Sequence, residues 1–432
     1  MKKLFILYVY SLPFVNAFAL TGTITMSLIL GILMLLMYVF SLLFSSNNTS
    51  KPKPRFIFFV FLILFLFVAY ISYFFSGLGV PEALNHTIAY SSVIILFFFT
   101  TLMVLFRYFS DEEGFISVLR AVKNITVFSC LFSIVEFADI NFLHIDIGQF
   151  IYRPSIQYFA ASALDKIFRI RGFAGESGVH AFMLEALGPI TAYYLYVVKK
   201  DSGNRIVKHL ILALIIVSLI MTVSTAAFLD VGIALAFLFI LNVFPILKTL
   251  RSNIFRLRTY IMTPIVVVLI YWIEKKVSIG LDIYLSIVGK FNQSYSLVDR
   301  QEKLEAFWRA FTNADLLHKL IGYGPSGFRI VGLKDAVISI YATYMLETGV
   351  IGLFFFFIYL LILFLLMLRM KGPLRNYLLL AFISSGLHGI FTNEYWNPWF
   401  WFLFAIIIHQ YQFQRMAGNS TIPENSLDKK VN

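Results

Sequence analysis

Long apolar runs separated by short polar stretches extend along most of the chain. A helix that crosses a lipid bilayer needs about 20 mostly apolar residues. Runs of this kind predict about twelve spanning helices, at residues 4–20, 24–44, 56–76, 87–106, 121–137, 179–198, 209–224, 226–247, 259–273, 350–368, 375–391 and 397–413. The pattern therefore predicts an all-α, polytopic transmembrane bundle that forms a single integral membrane domain over residues 1–432.

Polar stretches interrupt this pattern at three places, namely residues 138–178, 274–349 and 414–432. The first two are long enough to be sizeable loops, and the third is a terminal tail. Within the second loop, apolar residues recur three or four positions apart around Trp308, which predicts an amphipathic helix. Residues 337–348 are half-apolar and predict a further short helix at the membrane surface.

Lysines and arginines are unevenly distributed among the shorter connections. One alternate set is basic: Lys51, Lys53, Arg55, Arg107, Arg120, Lys123, Lys199, Lys200, Arg205, Lys208, Lys248, Arg251, Arg256, Arg258, Arg369, Lys371 and Arg375. Residues 77–86 and 393–397, in the other set, contain no lysine or arginine. Basic short loops remain in the cytoplasm, whereas long loops cross regardless of charge. Both termini and the tail are therefore predicted to be cytoplasmic, and both large loops extracytoplasmic.

Composition narrows the function classes. Hydrophobic residues make up 59% of the chain and charged residues 13%, with a mean hydropathy of +0.83, which is too apolar for a water-facing surface. The net charge of +12 fits cytoplasmic loops and lipid headgroups, so no nucleic-acid partner is expected. The single cysteine, Cys130, permits neither a disulfide framework nor a cysteine metal site. Residues 1–20 resemble a signal peptide, but an uncleaved helix is favoured.

The densest group of candidate functional residues is Arg169, Arg171, Gly172, Gly175, Glu176 and Gly178, immediately before an apolar run. Glycines permit close backbone approach, a helix N-terminus favours anions, and guanidinium groups bind phosphate oxygens in bidentate fashion. Together they predict an anion site at the level of the outer headgroups. The alternative is a glycine-rich turn whose arginines contact lipid phosphates.

A second group begins with Asp299 and Arg300, where Asp299 is a plausible helix N-cap. The predicted amphipathic helix ends before residues 321–328, in which three glycines form a GxGxxG pattern. No strand precedes that pattern, Pro325 interrupts it, and it is predicted to be extracytoplasmic. A nucleotide site is therefore excluded.

Several ionisable residues lie in or near the apolar runs: Glu136, His180, Glu185, Asp230, His388 and Glu394. Each is costly there and needs a partner or a wet cavity. Carriers and membrane enzymes both contain such residues, so these residues do not distinguish between the two classes. The histidines lack metal-site spacing such as HExxH, and no metal is expected from the sequence.

The combination resembles the bacterial O-antigen polymerase and O-antigen ligase family of membrane glycosyltransferases. Four segments support the resemblance: the Arg-x-Arg-Gly-Phe-x-x-Glu stretch over 169–176, the serine-centred turn at 224–226, the Asp-Arg…Trp…Gly-Tyr-Gly series over 299–324, and the Tyr…Glu-Thr-Gly-Val-Ile-Gly segment over 341–352. Ligases of this family carry a histidine just before the last segment, where this chain has Ile338 and Ser339. The resemblance is therefore greatest to the polymerases, the Wzy type.

The resemblance implies a GT-C-like bundle in the bacterial inner membrane that polymerises lipid-linked oligosaccharide repeat units at the periplasmic face. It implies an inverting transfer from undecaprenyl pyrophosphate without a cofactor or a metal, and it allows a chain-length regulator and a flippase as partners. The implied catalytic residues are Arg171 and Arg300, with Glu176 and Asp299 as candidate general bases. The implied substrate-binding residues are Arg169, Gly172, Tyr323 and Arg329.

Two alternatives remain at this point. A ligase would transfer finished glycan to a lipid A core. A flippase for lipid-linked oligosaccharides, which belongs to a different class, also fits about twelve helices. The long second loop and its predicted amphipathic helix favour an enzyme over a flippase.

Overall fold

The computed structural model describes residues 1–20, 24–44, 54–145, 147, 151, 168–200, 204–248, 295–333 and 337–419. Every regular element of more than three residues in these ranges is a helix: α1 (Lys2–Ser11), α2 (Met26–Phe44), α3 (Val60–Ser76), α4 (Ala83–Tyr108), α5 (Glu112–Leu143), α6 (Ser177–Val198), α7 (Arg205–Met221), α8 (Thr225–Lys248), α9 (Tyr295–Asn313), α10 (Leu316–Ile321), α11 (Gly327–Ile330), α12 (Ile340–Arg369), α13 (Leu374–His388) and α14 (Pro398–Asn419). The prediction of an all-α chain is confirmed for the described residues.

Among the described residues, 6 helices are long and apolar enough to cross a membrane, namely α2, α4, α5, α6, α12 and the 225–243 part of α8. Helix α3 is apolar but shorter. Helices α7, α13 and α14 include most of the predicted spans at 209–224, 375–391 and 397–413, although α7 ends at Met221 and α13 at His388. The predicted span at 259–273, much of both predicted loops and residues 420–432 lie outside the described residues.

The prediction of a helix over 4–20 is wrong in its second half. Helix α1 ends at Ser11, and residues 13–20 are not helical. Pro13 has no N–H group to continue the helical hydrogen bonds. The residues after Pro13 form non-helical hydrogen bonds instead. Ala17 N, for example, donates to Phe173 O at 3.2 Å. Helix α1 itself is part of the core, with Phe5, Tyr8 and Val9 fully buried.

Helix α14 lies at the centre of the bundle. Every residue from Trp399 to Ile408 is at most 1% exposed, as expected for a helix that is apolar around its whole circumference. It packs against α4, α6 and α12. Helix α13 packs between α6 and α8, and α3 packs along α12. These contacts bring α6, α8 and α13 together around the residues described in the next subsection.

Helix α12 is broken at Gly349, where φ is 65° and ψ is −172°. Residues 340–348 form the predicted short helix, and the predicted span follows the break. The glycine-rich 322–327 segment crosses the break closely, with hydrogen bonds from Tyr323 N to Leu346 O at 2.8 Å and from Gly324 N to Glu347 O at 3.0 Å. This crossing accounts for the GxGxxG pattern without a nucleotide.

The buried carboxylate of Glu347 holds this crossing in place. Its Oε1 accepts a hydrogen bond from Ser326 N at 2.9 Å, and its Oε2 accepts one from the Tyr90 hydroxyl. His86 Nδ1 lies 3.5 Å from Oε1. Donors from α4 and from the glycine-rich segment therefore meet at one acid, which compensates for the loss of its hydration.

Replacing Gly349 with alanine is expected to destabilise the fold strongly. A Cβ atom there would lie 2.2 Å from Leu320 O, and φ is already in the left-handed region. We expect a loss of about 3 kcal/mol or more, measured as a fall in melting temperature of the detergent-solubilised protein. Gly232→Ala is the control, because its Cβ would contact nothing within 4 Å. Equal melting temperatures for the two variants would contradict this account of the crossing.

Candidate functional site

The turn that carries the first arginine group is anchored by a buried acid. Glu136, on α5, is 2% exposed, and its Oε2 accepts hydrogen bonds from Arg171 N at 3.0 Å and Gly172 N at 2.7 Å. Arg171 Nε lies 3.8 Å from Glu136 Oε1. Glu136 therefore has the partner that a buried charge requires. Arg171, expected from the resemblance to act on substrate, contributes to this anchor.

Gly172 is required by packing at the same turn. Its φ is +56°, and a Cβ atom there would lie 2.7 Å from His180 Nδ1. His180 is held beneath the turn, with Nε2 3.2 Å from Ser218 Oγ on α7. The structure thus gives Gly172 a steric role, since a side chain would displace the imidazole.

Phe173 fixes the turn from the other side. Its ring stacks on Phe132 with centroids 4.3 Å apart and meets Phe14 edge-on at 4.7 Å. Asn16 Oδ1 accepts a hydrogen bond from Gly175 N at 2.8 Å. The segment after α1 and helix α5 therefore hold the turn between them, and Arg169 extends from a rigid support.

The charges of Arg169 and Arg300 act on each other although the two residues come from the two predicted loops. Arg169 is half-buried, and its Nε donates to Thr222 O at 2.9 Å. Desolvation, and then the like charge of Arg300, lower the pKa of Arg169 to about 10. The guanidinium of Arg300, on α9, lies 5.9 Å from the centre of the Phe391 ring. Arg169 is thus held at the turn between α7 and α8, and Arg300 lies beside the residue that follows the end of α13 by three positions.

Two glutamates complete this group. The exposed Glu176 acts electrostatically on both Arg169 and Glu394. Glu394 lies in the connection between α13 and α14, and desolvation followed by the charge of Glu176 raises its pKa to about 8. We call Arg169, Glu176, Arg300 and Glu394 the arginine–glutamate group. It combines fixed positive charge with a carboxyl group that is largely protonated at neutral pH.

A second group of ionisable side chains lies deeper, next to the first. His388 Nδ1 is 3.1 Å from Glu185 Oε1 on α6 and 3.2 Å from Asp230 Oδ2 on α8. All three side chains are buried, and we call them the buried triad. The charge of Arg300 acts on Asp230, so the triad adjoins the arginine–glutamate group.

The other predicted site residues lie elsewhere or are incompletely described. The Tyr323 ring stacks on His318 at 4.3 Å, and burial raises its pKa. Arg329 is exposed and lies over its neighbour Phe328. Asp299 lies on α9, but its side chain is outside the described part. Helix α9 begins at Tyr295, so Asp299 lies inside the helix and the prediction that it is the N-cap is wrong. The apolar spacing also starts earlier than predicted, because Leu297 lies seven residues before Leu304, as Leu304 does before Phe311.

The serine-centred turn predicted at 224–226 is present but lies two residues earlier in the chain. Residues 222–224 connect α7 to α8, and Val223 adopts a left-handed φ of 46°. Ser224 Oγ accepts a hydrogen bond from Ala227 N at 3.5 Å, at the first turn of α8. The turn also provides the Thr222 carbonyl that binds Arg169. It is therefore part of the wall around the arginine–glutamate group.

Sequence reasoning missed Glu394 as a site residue and missed the association of the buried triad. The signal available in the sequence was an ionisable residue in or near an apolar run. Such a residue requires a partner, but the sequence does not identify that partner. The three triad residues come from helices far apart in the chain. No local spacing, such as HExxH, relates them.

The chain matches no protein-family model and no curated protein. The function is therefore inferred from the site itself and from the motifs of the sequence.

The raised pKa of Glu394 predicts a pH-dependent stability. The folded chain retains this proton at pH values where the unfolded chain, with a pKa near 4.5, has lost it. The contribution of Glu394 to the free energy of unfolding is therefore greatest below about pH 4.5, and it falls as the pH rises to about 8. Glu394→Gln should have a shallower fall in melting temperature over this interval.

Two further variants test the cause. Glu176→Gln should shift the fall toward lower pH, because it removes the like charge that raises the pKa of Glu394. Glu113→Gln, an exposed carboxylate on α5, should leave the profile of the wild type unchanged. Identical profiles for the wild type and Glu394→Gln would refute the assignment.

Proposed function

We propose that this protein is a polymerase of lipid-linked oligosaccharide repeat units in the bacterial inner membrane, of the Wzy type. It transfers the glycan from undecaprenyl pyrophosphate onto the sugar of another lipid-linked unit. The observation that carries the proposal is that the charges of Arg169 and Arg300 act on each other, with Glu176 acting on both Arg169 and Glu394. These arginines come from two of the four sequence segments that resemble the polymerase family.

The proposed topology has about twelve spans in a GT-C-like bundle, with both termini in the cytoplasm. The alternating basic connections support it, as do the candidate spanning helices among the described residues. In this topology the arginine–glutamate group faces the periplasm, where the flipped, lipid-linked units are available. Membrane lipid, a chain-length regulator and a flippase are the partners that fit this position.

The arginines supply electrostatic stabilisation of the leaving group. During transfer, the acceptor oxygen forms a bond to the anomeric carbon while the bond from that carbon to the pyrophosphate oxygen breaks with its electron pair. Negative charge therefore grows on the pyrophosphate. Arg169 and Arg300 are close enough to oppose each other's charge, and an anion between them relieves that opposition. Bidentate contacts to phosphate need no metal at the reacting oxygen.

The proton of the acceptor hydroxyl needs a base on the opposite face of the sugar. Glu176 is the candidate base, because its carboxylate lies in the arginine–glutamate group. Desolvation, and then the charge of Glu176, raise the pKa of Glu394 to about 8, so the Glu394 carboxyl group suits donation of a hydrogen bond to the substrate. Asp299 remains a prediction. We assign Arg171 to positioning, because its pairing with Glu136 anchors the turn that carries Arg169.

The prediction that tests the site is loss of transfer in Arg300→Ala. Removing a charge-assisted contact to the developing anion costs about 3 kcal/mol, roughly a hundredfold in rate. Arg169→Ala should show a similar loss, and Arg171→Ala should lose transfer through the loosened turn. Arg300→Lys should restore little activity, because lysine lacks the planar fork. The measurement is polymerisation of lipid-linked repeat units by the purified variants.

Arg309→Ala is the matched control, since Arg309 is an exposed arginine on the same helix. It should retain transfer at the level of the wild type. Full activity in both Arg169→Ala and Arg300→Ala, at normal protein levels, would show that these arginines contact lipid only.

Gene deletion in the host separates the proposed function from its alternatives. Loss of a polymerase leaves single units made, flipped and attached, so the surface glycan should show core plus one unit without a ladder on a gel. Loss of a ligase would leave full-length polymer on its carrier. Loss of a flippase would retain single units at the inner face. Polymer of normal length without its final anchor would refute the polymerase assignment.

A further inference from the structure

The hydrogen bonds of the buried triad leave several carboxylate oxygens unsatisfied. His388 Nδ1 has one position for a proton and can donate one good hydrogen bond, which Glu185 Oε1 accepts at 3.1 Å. Within the described part of the chain, Glu185 Oε2 and both oxygens of Asp230 have no hydrogen-bond donor. Glu185 is 2% exposed and Asp230 is fully buried, so neither carboxylate is in contact with bulk solvent.

Burial of these carboxylate oxygens without hydrogen-bond donors costs free energy unless a ligand binds between them. A buried carboxylate without donors loses its hydration and gains nothing in return. A neutral imidazole with two carboxylates carries a charge of minus two, which one divalent cation cancels. A cation at the point that the three groups share would satisfy both acids and the lone pair of His388 Nδ1 together.

The distances fit a common ion. One ligand atom from each residue lies within 4.8 Å of the other two. Ligand atoms about 2.0 to 2.2 Å from one Zn²⁺ ion are separated from each other by about 3 to 3.5 Å. The 3.1 Å and 3.2 Å separations from His388 Nδ1 to the two carboxylates agree with this range. The second carboxylate oxygens are available to complete the coordination.

The ligand set also selects the kind of ion. Calcium and magnesium favour oxygen ligands alone, whereas an imidazole nitrogen with carboxylates suits zinc and its first-row neighbours. The Phe182 ring is parallel to His388, with centroids 5.0 Å apart and planes at 6°, and holds the imidazole in one orientation. We propose that Glu185, Asp230 and His388 bind a divalent transition-metal ion, Zn²⁺ foremost, that joins α6, α8 and α13.

This ion has a structural role and does not take part in the glycosyl transfer. All three ligands are buried, and the arginine–glutamate group supplies the charge next to the sugar phosphate. The ion fastens the three helices beside Arg300. Metal binding is therefore separable from the proposed polymerase activity, and either can fail without the other.

The test is metal analysis and thermal stability of the full chain, purified in detergent with any affinity tag removed. We expect about one equivalent of zinc per chain. Treatment with a chelator should lower the melting temperature, and added Zn²⁺ should restore it, because an ion that binds only the folded state stabilises it. Co²⁺ added to the chelator-treated wild type should give a visible ligand-field absorption band, a reading that needs no variant.

Glu185→Gln, Asp230→Asn and His388→Gln should each weaken zinc binding at least tenfold. His409→Gln is the matched control, because His409 is equally buried, on α14, and lies among aromatic rings. It should retain the metal. Absence of bound metal together with no response to Zn²⁺ or Co²⁺ would overturn the proposal, as would full zinc content in all three triad variants.

Discussion

A carboxylate buried among apolar helices must obtain partners from the protein, and this constraint organises the whole structure. Glu136 obtains them from the backbone of the arginine turn, and Glu347 from the glycine-rich segment and Tyr90. Each acid thereby fixes a non-helical segment to the bundle. At the third such place, around Glu185 and Asp230, the described residues supply too few donors. The same physical requirement explains the fold in two cases and indicates a ligand in the third.

The arginine–glutamate group depends on these anchors. Arg169 extends from a turn held by Glu136, Phe173 and Asn16, and its Nε is bound by the carbonyl of Thr222. Arg300 approaches from α9, which packs against α12. Desolvation, and then the like charge of Arg300, lower the pKa of Arg169, so an anion that binds near both guanidinium groups is favoured. A preorganised pair of this kind costs little reorganisation during a reaction that develops negative charge.

Glycines divide into two kinds in this chain. At Gly349 and Gly322 the main chains cross so closely that a Cβ atom would meet backbone atoms at 2.2 Å and 2.4 Å. At Gly172 it would meet an imidazole at 2.7 Å. Each of these glycines belongs to a motif that resembles the polymerase family. Glycine is required at all three positions for steric reasons. A motif of this kind therefore does not by itself identify residues that contact substrate.

The sequence by itself determined the helical class and the break before the span at 350–368, because hydrophobic periodicity is a local property. It also named Arg169, Arg171, Glu176, Asp299 and Arg300 as candidate site residues. Only the tertiary structure decided which charges meet. Arg171 pairs with Glu136, Glu394 joins Glu176, and His388 faces two acids from other helices. Those pairings depend on how helices distant in the chain pack together, and no local pattern encodes that packing.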